Sequence, residues 1–317
     1  MLHHQVSSRA KNPHYSVAVI LGSAFSSTPP NGLELTPCSY QTPWGEVVLY
    51  RVENLKNVSR TAYLLFRHGL PHQTLPHQIN FKAYAAALKL SRCQALLVTS
   101  SVGVLDQKTP LDCPLLLSDL IMPDNKLPNG EVCSIFDQQV EQHVQSNKAS
   151  YSTEFIEALK PGHLVLNEGL FSKALSLQLK DFMGEPSFDC TREVVFAYVP
   201  GPRTKTASEN RYWSQLGAQV NSMSVGPEVI LANELGIPTA AVVIGHKRSQ
   251  GHKISFFINE TDHGHYLSHE EQAIMKQEMA ATLQRSHEQL ETLIVSFLEN
   301  VKVNPFQNYI YRFPKKT

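Results

Sequence analysis

Val17-Ala18-Val19-Ile20-Leu21, followed by Gly22-Ser23, is the first strongly apolar segment of the sequence. The run is short and rich in β-branched residues, and it closes on a glycine and a hydroxyl residue. This pattern is typical of a buried strand that ends in a tight turn. A second run of the same kind occupies residues 95–99 and continues into Ser100 and Ser101. The two segments predict a sheet whose strands are covered on both faces.

Strands and helices alternate along the rest of the chain. We predict further strands at residues 45–52, 61–66, 115–122, 194–199, 220–224 and 240–244, and helices at 79–90, 152–159, 207–216, 228–235 and 269–298. This alternation predicts an α/β fold with a mixed, mostly parallel central sheet flanked by helices. Residues 127–152 have the weakest periodicity and are predicted to form a flexible insertion. We expect a polar N-terminal extension at residues 1–16 and a single domain at residues 17–317.

Composition narrows the class of protein. Among 317 residues, 42% are hydrophobic and 18% are charged, and 28 basic side chains balance 28 acidic ones. This balance argues against a nucleic-acid partner, because such proteins usually carry a basic excess. No apolar run approaches the roughly 20 residues that span a bilayer, and residues 1–14 lack the apolar core of a signal peptide. The five cysteines form no C-x-x-C pair, so we predict reduced thiols in a cytoplasmic protein with no membrane partner.

Groups that can bind an anion follow several of the predicted strands. Ser23 follows the first strand, Arg67 and His68 follow another, and Ser224 ends a later one. A guanidinium offers a planar fork for phosphate, an imidazole adds a donor, and hydroxyls and backbone N–H groups complete a cradle. Taken alone, each of these features is as typical of an ordinary turn as of an anion-binding site. Because ligands gather at the carboxyl ends of strands, their recurrence predicts one phosphate site.

The order and context of these segments resemble the trimeric purine nucleoside phosphorylases and methylthioadenosine phosphorylases. The resemblance extends from about residue 17 to residue 244. Its motifs are Thr42-Pro43-Trp44-Gly45; Arg67-His68-Gly69 with His72, Pro76, Ile79-Asn80-Phe81 and Ala87-Leu88; Val98-Thr99-Ser100 with Gly103; and the long signature Gly201-Pro202-Arg203, Glu209, Leu216-Gly217-Ala218, Met223-Ser224, Pro227-Glu228-Val229, Gly236-Ile237.

The resemblance implies a nucleoside phosphorylase-like fold and the phosphorolysis of a nucleoside. Inorganic phosphate, the co-substrate, attacks C1′ and releases a free base and a pentose 1-phosphate, with no metal or organic cofactor. The implied phosphate contacts are Ser23, Arg67, His68, Ser100, Ser101 and Ser224, and the implied ribose contacts are Met223, His72 and His269. The resemblance also implies a homotrimer in which a neighbouring subunit completes each pocket.

Two positions qualify these assignments. The family usually has a second glycine after the first Gly-Ser pair, whereas this chain has Ala24-Phe25, so we expect Phe25 to crowd or cover the phosphate. Ser268 and Glu271 have the spacing of a capping box, which explains most of the motif around His269 without a ribose contact. The histidines near His68 and near His269 lack a familiar metal-ligand spacing, so no metal site is predicted.

The base-binding positions differ most from the family pattern. Lys205 stands where the purine nucleoside phosphorylases carry a Glu, Lys247 takes the Asn or Asp position, and Ser249 takes the second Asp position. An ammonium only donates hydrogen bonds, whereas a carboxylate accepts them. We therefore expect an acceptor-rich or anionic base such as xanthine, or a phosphorylated ligand, with Lys247 acting as electrostatic catalyst or general acid. The alternative is that Lys205, Lys247 and Arg248 point to solvent.

Three functions remain open from the sequence. The first is an active phosphorylase of altered base specificity, which the phosphate residues support. The second is a non-catalytic family member that binds phosphate or a nucleotide, which the two lysines favour. The third, a nucleosidase that uses water, would predict loss of the phosphate residues and fits poorly.

Overall fold

The computed structural model describes residues 15–25, 28–57, 59–184, 192–249 and 269–312. Its strands are β1 Ser16–Leu21, β2 Leu35–Thr42, β3 Gly45–Val52, β4 Thr61–Phe66, β5 Cys93–Val104, β6 Pro114–Ile121, β7 His163–Val165, β8 Glu193–Tyr198, β9 Val220–Ser222, β10 Thr239–Arg248 and β11 Tyr309–Tyr311. Its helices are α1 Phe81–Leu90, α2 Gln138–Ser146, α3 Thr153–Ala158, α4 Lys173–Met183, α5 Ala207–Gln215, α6 Gly226–Glu234 and α7 His269–Asn300.

Strand β1 lies inside a nine-stranded mixed sheet and pairs in parallel with β4 and β5. Its side chains alternate between two cores: Ala18 and Ile20 belong to one, while Val17, Val19 and Leu21 belong to the other. Helices α1 and α6 contact each other on one side, and α4 and α7 contact each other on the other. This confirms the predicted buried strand and a mixed sheet flanked by helices.

Five strands of the sheet close into a ring. β5 pairs in parallel with β10, β10 pairs antiparallel with β6, β6 and β8 pair in parallel, β8 and β9 pair in parallel, and β9 returns antiparallel to β5. Because β5 is 12 residues long, it can serve β1, β9 and β10 along different parts of its length. The register of β10 against β5 shifts between Gly245 and Lys247, which marks a β-bulge at the end of the buried part of β10.

Local sequence explains where several helices begin and end. The Asn80 side chain accepts from the backbone N–H of Ala83 at the start of α1. Thr206 and Glu209 form a reciprocal capping box at the start of α5. Helix α4 is capped at its C-terminal end by Gly184, whose φ of +63° suits a residue without a Cβ.

The segment 127–152 differs from its prediction. It contains α2, and Cys133, Ile135 and Val144 are buried in the main core. The Glu234 carboxylate of α6 accepts hydrogen bonds from the Ile135 backbone N–H (2.6 Å) and the Ser134 hydroxyl (3.0 Å). The segment predicted as a flexible insertion therefore contains a helix and packs into the main core. The Glu234 carboxylate anchors the segment together with these buried side chains, and a carboxylate from a distant helix leaves no periodic pattern in the sequence.

The ends of the predicted domain are only partly described. Of the predicted N-terminal extension, residues 1–14 lie outside the described residues, and Ser16 already begins β1. Strand β2, helix α4 and the small antiparallel sheet of β7 and β11 were not predicted. Among the described residues, no helix combines the length and apolar character needed to cross a membrane.

Candidate active site

A cavity of about 540 Å³ opens at the carboxyl ends of the central strands. Eleven of the predicted site residues line it: Ser23, Arg67, His68, His72, Ser100, Ser101, Lys205, Met223, Ser224, Lys247 and Ser249. The twelfth, His269, begins α7, but its side chain lies outside the described part of the structure. Ser100 and Ser101 lie within β5 and not after it, because that strand continues to Val104. The cavity therefore collects residues from widely separated segments.

The Arg67 guanidinium is held by a carboxylate that the sequence analysis did not assign. Its Nε and Nη2 donate to the Glu228 carboxylate at 2.6 and 2.7 Å, and Nη2 also donates to the Thr99 carbonyl at 3.0 Å. Both side chains of the pair are only 1% exposed. The available signal was the Pro227-Glu228-Val229 motif itself, since a motif Glu at the start of a buried helix needs a partner. Only Nη1 of Arg67 remains for an anion.

The turn after Met223 carries Ser224 into the cavity. Val225 has φ +70° and ψ −56°, and the Gly226 backbone N–H donates to the Ser224 carbonyl at 2.8 Å, which defines a strained γ-turn. A β-branched residue rarely adopts a positive φ, and such strain is concentrated at functional sites. The Val225 backbone N–H donates to Glu228, so the carboxylate that holds Arg67 also stabilises this turn.

Two hydroxyls lie at the end of the cavity next to Arg67, which we call the phosphate end, and a third lines the same cavity. The Ser100 and Ser224 hydroxyl oxygens are 3.1 Å apart and nearly buried, and the Ser101 hydroxyl is buried without a partner among the described residues. A Cβ added at Gly22 would lie 3.0 Å from Arg67 Nη1 and 3.0 Å from the Thr99 carbonyl oxygen. Gly22 is therefore required because β1 approaches Arg67 so closely.

His68 is present as a neutral imidazole. Its Nδ1 lies 2.8 Å from the Thr74 carbonyl, which can only accept, so Nδ1 carries the proton. Burial, followed by the charge of Arg67 and the neighbouring His72, lowers the pKa of His68 to about 4. The ring stacks on His72 with centroids 4.4 Å apart. The expected donor role of His68 is corrected, since its Nε2 carries a lone pair and accepts.

Phe25 neither crowds nor covers the cavity. Its side chain is 1% exposed and belongs to the second core, where its ring lies 4.4 Å from the His287 ring of α7. The short 3₁₀ turn at residues 23–25 directs Ser23 to the cavity and Phe25 to the core. The prediction for Phe25 was wrong because a tight turn separates the directions of neighbouring side chains.

The opposite end of the cavity, which we call the base end, carries the two lysines. Burial lowers the pKa of Lys205 to about 8, and the charge of Lys247 contributes to the lowering. Lys247 is exposed but lines the same cavity. The Arg248 guanidinium donates to the carbonyls of Asp106 and Thr109, each at 2.7 Å. Lys205 therefore does not point freely to solvent, and Arg248 is tied to a neighbouring loop.

The base end contains further polar groups that the sequence analysis left unassigned. His246 lines the cavity, and burial lowers the pKa of its imidazole to about 4, with Lys247 as the next cause. No carboxylate is found among the described residues that line the cavity. Since Arg67 is paired with Glu228, the unbalanced positive charge lies at the base end. In the described ranges, no group of three or more His, Cys, Asp or Glu side chains could hold a metal ion.

Comparison with known proteins matches residues 33–299 to the model of the phosphorylase superfamily. A probable S-methyl-5'-thioinosine phosphorylase from Methanopyrus kandleri is 29% identical over 232 residues, which is 72% of this chain and 77% of that protein. The S-methyl-5'-thioadenosine phosphorylase of Danio rerio is 27% identical over 238 residues, which is 74% of this chain and 75% of that protein.

Solved structures agree on the fold. The methylthioadenosine phosphorylase of Schistosoma mansoni in its apo form superposes with a TM-score of 0.67 at 18% identity, and covers 90% of this chain and 91% of that one. The same enzyme in complex with tubercidin gives a TM-score of 0.66, again at 18% identity, with 90% of each chain covered. At this identity the likeness concerns the fold, and the described cavity carries the argument about the site.

Proposed function

Because the chain belongs to the phosphorylase superfamily, we propose that it catalyses phosphorolysis of a purine nucleoside to a free base and a pentose 1-phosphate. The observation that carries this proposal is the convergence of Arg67, Ser100 and Ser224 at one end of a single cavity that has lysines at the other. The curated relatives are phosphorylases of methylthioadenosine and methylthioinosine, which supports the reaction class.

At the phosphate end, the proposed role of the chain is to bind and orient phosphate beneath C1′. The hydroxyls of Ser23, Ser100, Ser101 and Ser224 donate to phosphate oxygens, and Arg67 Nη1 adds a charged donor. His68 Nε2 accepts from a phosphate hydroxyl, because its Nδ1 proton is engaged by Thr74. Positioning of this kind supplies a large part of the rate enhancement in reactions that join two molecules.

The chemical step that we propose breaks one bond and forms another at C1′. The C1′–N bond breaks and its electron pair leaves with the base, while a phosphate oxygen donates a pair to the electron-deficient C1′. Met223 and His72 are proposed to contact the ribose between the two ends of the cavity. The contribution of His269 is proposed from its place in the sequence alone. Inorganic phosphate is the co-substrate, and the step needs no electron transfer.

At the base end, we propose that Lys205 and Lys247 stabilise the negative charge that develops on the leaving base. A half-buried ammonium favours an anionic or carbonyl-rich ring over an adenine ring, whose amino group is itself a donor. Ser249, which directly follows β10, is proposed to add a hydroxyl that can donate or accept a hydrogen bond. An oxidised base such as xanthine, which ionises near neutral pH, satisfies these groups best. In this chemistry Lys247 acts as electrostatic catalyst or general acid.

The proposal is tested by a coupled phosphorolysis assay with inosine, guanosine, xanthosine, adenosine and methylthioadenosine, each with and without phosphate. We expect turnover that requires phosphate and a kcat/KM that is highest for xanthosine. In Lys205→Met and Lys247→Met, kcat/KM for xanthosine should fall by at least tenfold. An unchanged value in both variants would exclude xanthine recognition by these lysines.

A second function is a non-catalytic member of the family that binds phosphate or a nucleotide. The observation that favours it is the Arg67–Glu228 pair, which leaves the phosphate end without net charge. This alternative predicts no turnover of any nucleoside, together with a rise in melting temperature when phosphate or a nucleotide is added. Turnover that depends on phosphate would exclude it.

The assembly and location of the protein are also proposals. The motifs shared with the trimeric phosphorylases support a homotrimer in which a neighbouring subunit completes each cavity, and light scattering coupled to size exclusion tests it. The cysteine pattern supports a cytoplasmic location, and the charge balance supports a small-molecule partner and no nucleic acid.

A further inference from the structure

The cavity contains one buried amide whose hydrogen bonding is incomplete. Asn221 is the central residue of β9 and has no exposed surface. Its Nδ2 donates to Asn210 Oδ1 at 3.2 Å, whereas its Oδ1 has no partner among the described residues. Most buried polar atoms in folded proteins are paired, so an unpaired carbonyl in a ligand cavity calls for an occupant.

The position of this oxygen is fixed by its neighbours. Asn221 lies opposite Gly103 in the antiparallel pairing of β9 with β5. A Cβ added at Gly103 would lie 3.1 Å from Asn221 Oδ1 and 2.2 Å from Ser249 Oγ. Asn221 Oδ1 from β9 and Ser249 Oγ, which directly follows β10, therefore both approach the bare backbone of Gly103. Gly103 pairs with Lys247 of β10, and Asn221, Ser249 and Lys205 line the same cavity, so we place the free oxygen at the base end.

We propose that Asn221 determines base specificity by accepting a ring N–H through Oδ1, while Lys205 donates to the carbonyl next to that N–H. The pair would recognise the lactam edge of a 6-oxopurine. This inference rests on the proposed function, and it deepens it by naming the edge of the base that is read.

The chemistry of the two groups favours a lactam over an amidine. A 6-oxopurine presents N1–H as a donor and O6 as an acceptor, which match an amide oxygen and an ammonium. A 6-aminopurine presents the reverse: its N1 lone pair would face Asn221 Oδ1, and its amino group would face Lys205. Sites built around buried polar groups reject such mismatches strongly, because each leaves a group unpaired.

The test compares substrates that differ only at this edge. Purine riboside differs from inosine only in lacking the N1–H and the C6 carbonyl, so the ratio of kcat/KM for inosine over that for purine riboside measures edge recognition. We expect this ratio to fall about 10- to 100-fold in Asn221→Leu. Asn221→Ala removes the same oxygen without adding bulk, and we expect the same fall even where the leucine variant does not fold.

The matched control is Asn308→Leu. Asn308 is also a buried asparagine paired with another asparagine, since its Nδ2 donates to Asn233 Oδ1 at 2.9 Å, but it does not line the cavity. We expect Asn308→Leu to lower the melting temperature and to leave the substrate ratio unchanged. An unchanged ratio in both Asn221 variants, or an equal fall in Asn308→Leu, would overturn the inference.

A binding measurement separates this inference from the proposed function. Calorimetry with free hypoxanthine and free purine reports the same edge without phosphate or turnover. If no nucleoside is cleaved, yet the preference for hypoxanthine disappears in both Asn221 variants, the inference stands and the proposed reaction fails. If nucleosides are cleaved and neither variant changes the preference, the inference fails and the reaction stands.

Discussion

The Arg67 guanidinium and the Glu228 carboxylate form a two-pronged ion pair, with Nε–Oε1 and Nη2–Oε2 distances of 2.6 and 2.7 Å. Glu228 also accepts from the Val225 backbone N–H, so a single carboxylate holds the guanidinium and the strained turn that presents Ser224. The phosphate end is thus organised before any anion arrives. Pre-organised donors lose little free energy to reorganisation during a reaction.

We predict that Glu228→Gln lowers the free energy of unfolding by about 3 kcal/mol, because it leaves the buried Arg67 cation without a counter-charge. Phosphate should restore part of this loss by binding next to the same cation. The measurement is thermal unfolding of the wild type and of Glu228→Gln, each with and without phosphate.

The control for this prediction is Glu131→Gln. Glu131 pairs with Lys82 at 2.9 Å, but its side chain is 57% exposed, so we expect a loss below about 1 kcal/mol and no added response to phosphate. Equal losses in the two variants would contradict the structural role given to Glu228.

The charge of Lys205 should appear in the pH profile. Burial lowers its pKa to about 8, so the side chain is charged below that pH and neutral above it. We expect kcat/KM for xanthosine to fall as pH rises through about 8. The fall in kcat/KM above about pH 8 should be absent in Lys205→Met. Dividing the wild-type kcat/KM by that of the variant at each pH cancels the effect of the ionisation of the substrate itself.

The lowered pKa of Lys205 has the opposite effect on the free energy of unfolding. Between pH 8 and about 10.4 the unfolded chain binds more protons at this lysine than the folded chain does. The contribution of Lys205 to the free energy of unfolding should therefore rise with pH across that window. A wild-type protein that loses stability there relative to Lys205→Met would contradict the described burial.

Two neutral histidines should make the protein sensitive to acid. Burial lowers the pKa of His68 and of His246 to about 4, so between about pH 4 and 6.5 the unfolded chain binds more protons at both. Stability should fall as pH falls through that window, by roughly 2 kcal/mol for each histidine between pH 7 and 5. Urea unfolding of His68→Gln and His246→Gln at the two pH values measures it.

The exposed His163 provides the comparison. In His163→Gln we expect the difference in unfolding free energy between pH 7 and 5 to match that of the wild type. If either His68→Gln or His246→Gln kept the full wild-type difference, that histidine would not be buried as a neutral ring.

Substitutions at two glycines should affect phosphate binding and nucleoside binding separately. Gly22→Ala places a Cβ 3.0 Å from Arg67 Nη1, whereas Gly103→Ala places one 3.1 Å from Asn221 Oδ1. We expect the first to raise KM for phosphate and the second to raise KM for the nucleoside, each by about tenfold or more, since small displacements at a site are costly. Steady-state kinetics with either substrate varied distinguishes them, and each variant is the control for the other.

Much of the sheet could be predicted from the sequence because its strands are buried on both faces. The apolar runs of β1, β5 and β10 follow directly from that burial. The edge strand β2, whose residues are mostly half-buried or exposed and include Pro37, carries no such pattern and was missed. The closure of five strands into a ring could not be predicted either, because no local sequence pattern indicates that β5 pairs with three other strands.

The sequence predicted most of the residues that line the site, but few of the contacts between them. Family motifs identified Arg67 and Ser224, and both line the cavity. The role of Glu228 was missed because an ion pair between residues 161 positions apart depends on the fold. The acceptor character of His68 depends on Thr74, and the open carbonyl of Asn221 depends on Asn210; both are set by tertiary contacts.

The bulge in β10 bears on how such a protein can diverge. Up to Gly245 the strand is core, and a substitution there must fit close-packed neighbours. From the bulge onward, residues 246–249 line the cavity, and none of their side chains belongs to either core cluster. Substitutions at these positions can therefore change the groups that line the cavity while both core clusters and the phosphate end stay nearly constant. A lineage could change its substrate within a few substitutions without an intervening unstable ancestor.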